Sequence, residues 1–343
     1  MQVQLESWGR YPRVAGRELR WRGEEELQAQ LAGLQGAIPR GLGRSYGDSA
    51  LAGTVILNDA RTCFLGFAPE TGLLRAEAGV SLAEILAVFV PRGWFLPVTP
   101  GTKFVTLGGA IAADVHGKNH HGAGSFSDHV REMRVLVPDG RIQTIRRETD
   151  PELFAATCGG MGLTGVILDA TVQLKPIASA YIQQTTRSAK DLDAVMQLFD
   201  EAREATYSVA WIDCLATGKK LGRSVLFTGE HAPVEALERK AQANPLALAP
   251  RRKLAVPFDL PAQSLNSWTV RLFNALYYWR GSAAQGTQLV GYDQFFYPLD
   301  SIHQWNRIYG RPGFVQYQFV LPFETSRDGM RAVLTEISAE QAG

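Results

Sequence analysis

The sequence predicts an α+β protein of two domains, and three observations carry that expectation. Short apolar runs alternate with helical stretches through the first half, two glycine-rich segments interrupt them, and beyond Pro176 glycine thins while aromatic residues gather. The boundary falls there, giving domains of residues 1–176 and 177–343. At 343 residues and 45% hydrophobic, the chain is long and apolar enough for two cores.

Thr54 to Leu57 and Leu73 to Ala78 read as strands. Ser81-Leu82-Ala83-Glu84 is a capping-box pattern, in which a serine hydroxyl and a glutamate three residues on satisfy each other's backbone donors; the helix it opens should stop before Pro91. Met133 to Val137 and Ile142 to Ile145 flank the turn signal Pro138-Asp139-Gly140 and predict a hairpin. Asp150-Pro151 starts a helix that Cys158-Gly159-Gly160 ends, and Val166 to Leu174 forms a strand before Lys175-Pro176. In the second domain Ser267 to Gly281 is helical, with Trp268, Leu272, Phe273, Leu276 and Trp279 on one flank and Arg271 and Arg280 beside it. The expected reading is a core helix, because amphipathic helices usually bury their stripe in their own domain; the alternative is a face for an anionic membrane. Ala247 to Pro261, with three prolines and the run Arg251-Arg252-Lys253, reads as an exposed loop that could share such a face.

Composition excludes several classes. Lys plus Arg number 35 and Asp plus Glu 34, so no field of one sign points to nucleic acid. Cys63, Cys158 and Cys214 lie far apart without CxxC spacing, which argues against a disulfide framework or structural zinc and fits a reducing, cytoplasmic setting. The amino terminus lacks the apolar core of a signal peptide, and no run of 18 apolar residues occurs.

The glycine segments carry the chemistry. Gly41-Leu42-Gly43-Arg44-Ser45-Tyr46-Gly47-Asp48-Ser49 would place several backbone N–H groups in a tight loop, either an anion nest or an ordinary turn. It departs from the dinucleotide fingerprint, since Tyr46 stands where the third glycine belongs. In the second segment Thr106 can cap a helix whose first turn is built of small residues, leaving its amides bare for a pyrophosphate; a close-packed glycine helix is the alternative. His116 and His120 have the spacing of a metal pair, yet no HExxH glutamate or third ligand accompanies them, so no metal is expected.

Taken in order, GLGRSYGDSAL, TPGTKFVTLGGAIAADVHGKNHHGAGSF, CGGMGLTGVILDATVQL and GFVQYQFVLP resemble the decaprenylphosphoryl-β-D-ribose oxidase family over nearly the whole chain. The resemblance implies the vanillyl-alcohol-oxidase-like, PCMH-type FAD fold, with a separate and mainly antiparallel-sheet substrate domain. It makes Pro39, Arg40 and Gly41 to Ser49 the first FAD loop, continued by Gly101, Thr106, Leu107, Gly108, Gly109, Ala113, Asp114, Val115 and His116, with Ile167 nearby. The first loop holds no histidine, so the implied FAD is non-covalent. The resemblance also implies that His116 and Tyr46 line the isoalloxazine region and that Gln316 and Gln318 reach the flavin or sugar. Strand alternation would put both glutamines on one side. Lys118, Trp211 and Arg307 are the candidates for the substrate cavity; for Trp211 and Arg307, core packing or a surface ion pair is the competing reading.

The implied reaction oxidises the ribose 2′-hydroxyl of a polyprenyl-phosphate sugar to a keto sugar for a partner reductase, in arabinan precursor synthesis at the cell wall. A lipid-linked substrate would call for an apolar entry, which Ser267 to Gly281 offers, with peripheral membrane contact as the alternative to a purely cytoplasmic protein. In the family a returning carboxy-terminal segment supplies a lysine near the flavin; no residue here matches it, so either the substrate domain is carboxy-terminally incomplete or this chain differs from the family there. A soluble sugar-alcohol or aldonolactone oxidase on the same fold and a non-catalytic nucleotide-binding protein are the alternatives.

Overall fold

The computed structural model describes residues 2–248 and 254–340. A mixed four-stranded sheet opens the chain: β1 (Val3–Glu6) lies antiparallel to β2 (Arg13–Leu19), and, after α1 (Glu24–Leu31), β3 (Ala37–Arg40) and β4 (Thr54–Leu57) complete the order β1-β2-β4-β3. The β2–β4 and β3–β4 pairs are parallel. All four residues of β4 are buried, as expected of a central strand covered on both faces.

A five-stranded antiparallel sheet follows. It comprises β5 (Phe64–Ala68), β6 (Leu73–Glu77), β8 (Val130–Leu136), β9 (Ile142–Ile145) and β10 (Val166–Gln173), in the order β5-β6-β10-β8-β9. The expected hairpin pairs Met133 with Ile145 and Leu136 with Ile142. Between β6 and β8 run α2 (Leu82–Phe89), β7 (Trp94–Phe95), α3 (Leu107–Ala112) and the single turn α4 (His120–Ala123); α5 (Pro151–Thr157) precedes β10. The Ser81–Glu84 capping box forms as the sequence requires and stabilises the start of α2 by about 1 kcal/mol. Leu82, Ile85, Leu86 and Phe89 then bury the helix against the sheet.

Past β11 (Lys175–Pro176), which pairs with β7, the chain builds the antiparallel sheet that the family resemblance implies. Its strands β12 (Tyr181–Ala189), β13 (Tyr207–Ile212), β14 (Ser224–His231) and β16 (Gly286–Gly291) lie in the order β13-β14-β12-β16. The helices here are α6 (Leu192–Glu201), α7 (Arg239–Gln242), α8 (Ser267–Ala283), α9 (Tyr292–Phe296) and α10 (Ser326–Glu340); β15 (Leu254–Ala255) and β17 (Ile302–His303) form a short parallel pair. The main core runs from Leu74 and Val80 through Ile182, Tyr207 and Phe295, so the two halves share packing.

Two expectations are corrected. The segment around Gln316 and Gln318 belongs to no strand, and residues 315–320 are all exposed. With no neighbouring strand to pair its backbone, alternation does not govern those side chains. The core-helix reading of α8 also fails, because Trp268, Leu272, Phe273, Leu276 and Trp279 all face outward. Its inward contact is polar instead: the Asn274 amide donates to Asp213 Oδ1 at 2.7 Å, and Arg223 holds Asp213 Oδ2 at 2.6 Å. The basic run Arg251-Arg252-Lys253 lies outside the described residues.

Candidate active site

The first glycine loop leaves β3 and is shaped from within by its own arginine. Arg40 donates to the carbonyls of Ala50 and Glu6, at 3.1 and 2.6 Å, and its guanidinium fills the turn so closely that a Cβ at Gly43 would meet it at 2.3 Å. Gly43 also has φ +63°, so both space and backbone require glycine there. Among the described residues, no backbone amide from Gly41 to Asp48 donates to a protein acceptor. A run of undonated amides is the chemistry an anion nest needs.

The second segment meets this loop directly: a Cβ at Gly41 would lie 2.4 Å from Thr106 Oγ1. Thr106 caps α3 as expected, accepting from the Gly109 amide at 3.1 Å. The first-turn amides are not bare, however. Leu107 N–H donates to Val80 O and Gly108 N–H to Ala78 O, at 2.7 and 2.8 Å, because the turn is stitched to the end of β6. Gly108 packs on Ala78, where a Cβ would sit at 2.9 Å, so the close-packed glycine helix is what forms. The free donors for a pyrophosphate therefore lie in the first loop. A Cβ at Gly47 or Gly101 would meet nothing within 4 Å, which leaves open space beside the nest. These features fit FAD, whose phosphates need amides and whose body needs room.

After α3, Asp114 adopts φ +39° and accepts from Ser125 Oγ and Ser127 N, at 2.8 and 2.9 Å, turning the chain so that His116 bridges to Ser125. Val115 packs on the core, and Ile167 is buried in it, with its carbonyl accepting from Asn58. The decisive contact spans 202 positions: the Gln318 amide nitrogen lies within hydrogen-bond distance of His116 Nε2. The contact ties the imidazole to the amide and so sets the orientation of the ring.

His116 and Lys118 line a cleft of about 820 Å³ between the Thr99–Gly101 turn and the face made by Phe199, Arg203, Ser208, Val209 and Phe323. Lys118 reaches across to the Phe295 carbonyl and lies 4.4 Å from that ring's centre. Burial pushes its ammonium down to about 8. No carboxylate contacts it among the described residues.

The remaining candidates divide. Tyr46 packs at 5.3 Å on Phe314 and 6.1 Å on Trp305, and burial raises its phenol. Its neighbour Arg44 lies over Trp8 at 4.1 Å, and burial lowers its guanidinium. Gln316 is exposed. Trp211 packs in a tilted arrangement on Tyr277 of α8 at 4.6 Å, and Arg307 donates to the carbonyls of Val256 and Pro257, at 3.1 and 2.8 Å, so both act here as supports. Sequence reading missed Asp300, whose carboxylate takes the Thr102 hydroxyl and Lys103 amide at 2.7 and 2.9 Å and whose burial raises it. It also missed Trp8, joined to the far end of the chain by Asn306. No local motif marks either residue.

Residues 28–146 match the FAD binding domain family. That match and the relative that follows together define an FAD-dependent oxidoreductase of the PCMH type acting on CH–OH groups. The chain is 39% identical over 310 residues to decaprenylphosphoryl-beta-D-ribose oxidase of Mycolicibacterium smegmatis, covering 89% of this chain and 67% of that protein. It belongs to the decaprenylphosphoryl-β-D-ribose oxidase family. It is also 43% identical over 183 residues to an uncharacterized protein in the mprA 5′ region of Streptomyces coelicolor, of which it spans 49%, and 30% identical over 164 residues to probable L-gulonolactone oxidase 4 of Arabidopsis thaliana, of which it spans 28%.

Proposed function

We propose that the protein oxidises the 2′-hydroxyl of a polyprenyl-phosphate ribose to a keto sugar, which a separate reductase then consumes. The contact of Gln318 with His116 carries this reading, because it joins the two halves at the wall of a cleft that also holds Lys118. FAD is held non-covalently by the loop from Pro39 to Ser49, which contains neither histidine nor cysteine, with Gly101, Thr106 to Gly109 and Ala113 to His116 around it. Residues 1–176 form the FAD-binding domain and residues 177–343 the substrate domain. When bound, FAD supplies the acceptor for the hydride from the sugar C–H bond.

The chain's own part is orientation. His116 and Gln318 offer fixed hydrogen-bonding atoms to the sugar hydroxyls, and Tyr46 of the first loop forms an aromatic wall with Trp305 and Phe314. The Lys118 ammonium supplies the positive charge for the phosphate. Because its folded value of about 8 lies below the ordinary 10.5, that charge is present below pH 8 and is lost as pH rises through it. Affinity for the anionic substrate, followed by equilibrium binding, is therefore expected to fall across that rise. Lys118→Met should bind weakly at every pH; a wild-type profile in this variant would remove Lys118 from the phosphate site.

Steady-state rates on the lipid-linked sugar phosphate and on free aldonolactones test the substrate class. Preference for the first supports the reading. Turnover of lactones alone replaces it with the soluble oxidase.

A further inference from the structure

We propose that the outward face of α8 docks on an anionic lipid surface. The helix presents its sides in inverted order. Toward the sheet it turns Asn274, Tyr277, Tyr278 and Gly281: Asn274 is bound to buried Asp213, Tyr278 lies under Arg223, and a Cβ at Gly281 would meet Val225 at 2.6 Å. Toward solvent it turns Trp268, Leu272, Leu276 and Trp279, which are 81, 63, 57 and 70% exposed. Steps of four, four and three residues keep these four in one stripe of the helix surface. The polar anchor makes the orientation a built feature, since rolling the stripe inward would strip Asp213 of the Asn274 amide and bury tryptophan where Gly281 alone fits.

Charge selects the occupant. From Ser267 to Ala283 there is no carboxylate, while Arg271 and Arg280 stand on opposite flanks of the stripe and form no ion pair among the described residues. An apolar stripe bordered by arginines and carrying tryptophan near each end suits the headgroup boundary of an anionic bilayer, where the rings and guanidinium groups meet polar heads and the leucines meet acyl chains. A second copy of the chain would bring the same arginines together with no carboxylate on the helix to answer them. No helix among the described residues is long and apolar enough to cross a membrane, and α8 lying in the surface plane needs no crossing. Trp211, which carries Tyr277, shares its sheet face with Val209 of the cleft, so α8 sits beside the proposed site. The inference stands on α8 alone and does not require the oxidase reading.

Flotation of the purified protein with vesicles of phosphatidylcholine, with and without phosphatidylglycerol, tests this. Wild type should float with the phosphatidylglycerol vesicles, and brominated acyl chains should quench its tryptophan fluorescence. The double variants Leu272→Gln/Leu276→Gln and Arg271→Glu/Arg280→Glu should each bind at least about tenfold more weakly. Both should keep the flavin spectrum of the wild type, which separates this outcome from any failure of the oxidase reading. Absence of wild-type binding, or variants that bind like wild type, would overturn the proposal. So would a dimer seen by light scattering that the leucine variant abolishes while wild type ignores vesicles.

Discussion

Gly41→Val is expected to yield a folded protein that loses FAD on purification. The first Cβ at this position would lie 2.4 Å from Thr106 Oγ1 and 3.0 Å from its Cγ2, so the loop must part from the start of α3. That parting moves the undonated amides of residues 41–48 away from the open space beside Gly47 and Gly101. Overpacking of this kind costs about 1–3 kcal/mol, which charged to the bound state alone weakens FAD affinity roughly tenfold to hundredfold. Flavin absorbance per protein and an FAD titration of the apoprotein measure it, with circular dichroism to show the fold intact. Full flavin occupancy would mean that this junction does not hold the cofactor.

His116→Ala should leave FAD bound but slow flavin reduction by substrate about a hundredfold, the usual consequence of misplacing a reacting group by an ångström. The imidazole is aimed by Gln318 on one side and by the Asp114 turn on the other, so its loss leaves a gap in the cleft wall without disturbing the first loop. Gln318→Leu should show a smaller decrease in the same step, because the ring remains but its orientation is no longer set. Rapid-mixing absorbance under anaerobic conditions separates this step from reoxidation. Equal reduction rates in His116→Ala and wild type would remove His116 from the site.

Much of the flavin domain was legible because its signals are local. The Ser81 capping box, the Pro138-Asp139-Gly140 turn and the Asp150-Pro151 start each act within a few residues, and each formed where the pattern put it. The bareness of the α3 amides was misjudged for the opposite reason. Leu107 and Gly108 are met by carbonyls of Ala78 and Val80, a partnership that depends on how the segment after β6 lies against the helix. The same limit applies to α8, where the sequence shows a fine apolar stripe but not that Asp213 and Arg223 claim the opposite side. Asp300 and Trp8 joined the surroundings of the site only through tertiary contacts with Thr102, Lys103 and Asn306. The arrival of Gln318 at the site was suggested by family resemblance and by a strand that does not form, and its contact with His116 is a finding of the structure. It is an extended, unpaired segment that delivers the glutamine.

The visible spectrum of the purified protein, recorded anaerobically before and after adding a polyprenyl-phosphate ribose, tests the central claim most directly. The account predicts flavin bands that bleach on addition and a flavin that acid precipitation releases into the supernatant. Flavin that stays oxidised with this sugar while the protein remains folded and fully loaded would contradict the proposed substrate, and a folded protein that cannot be loaded with FAD would contradict the site itself.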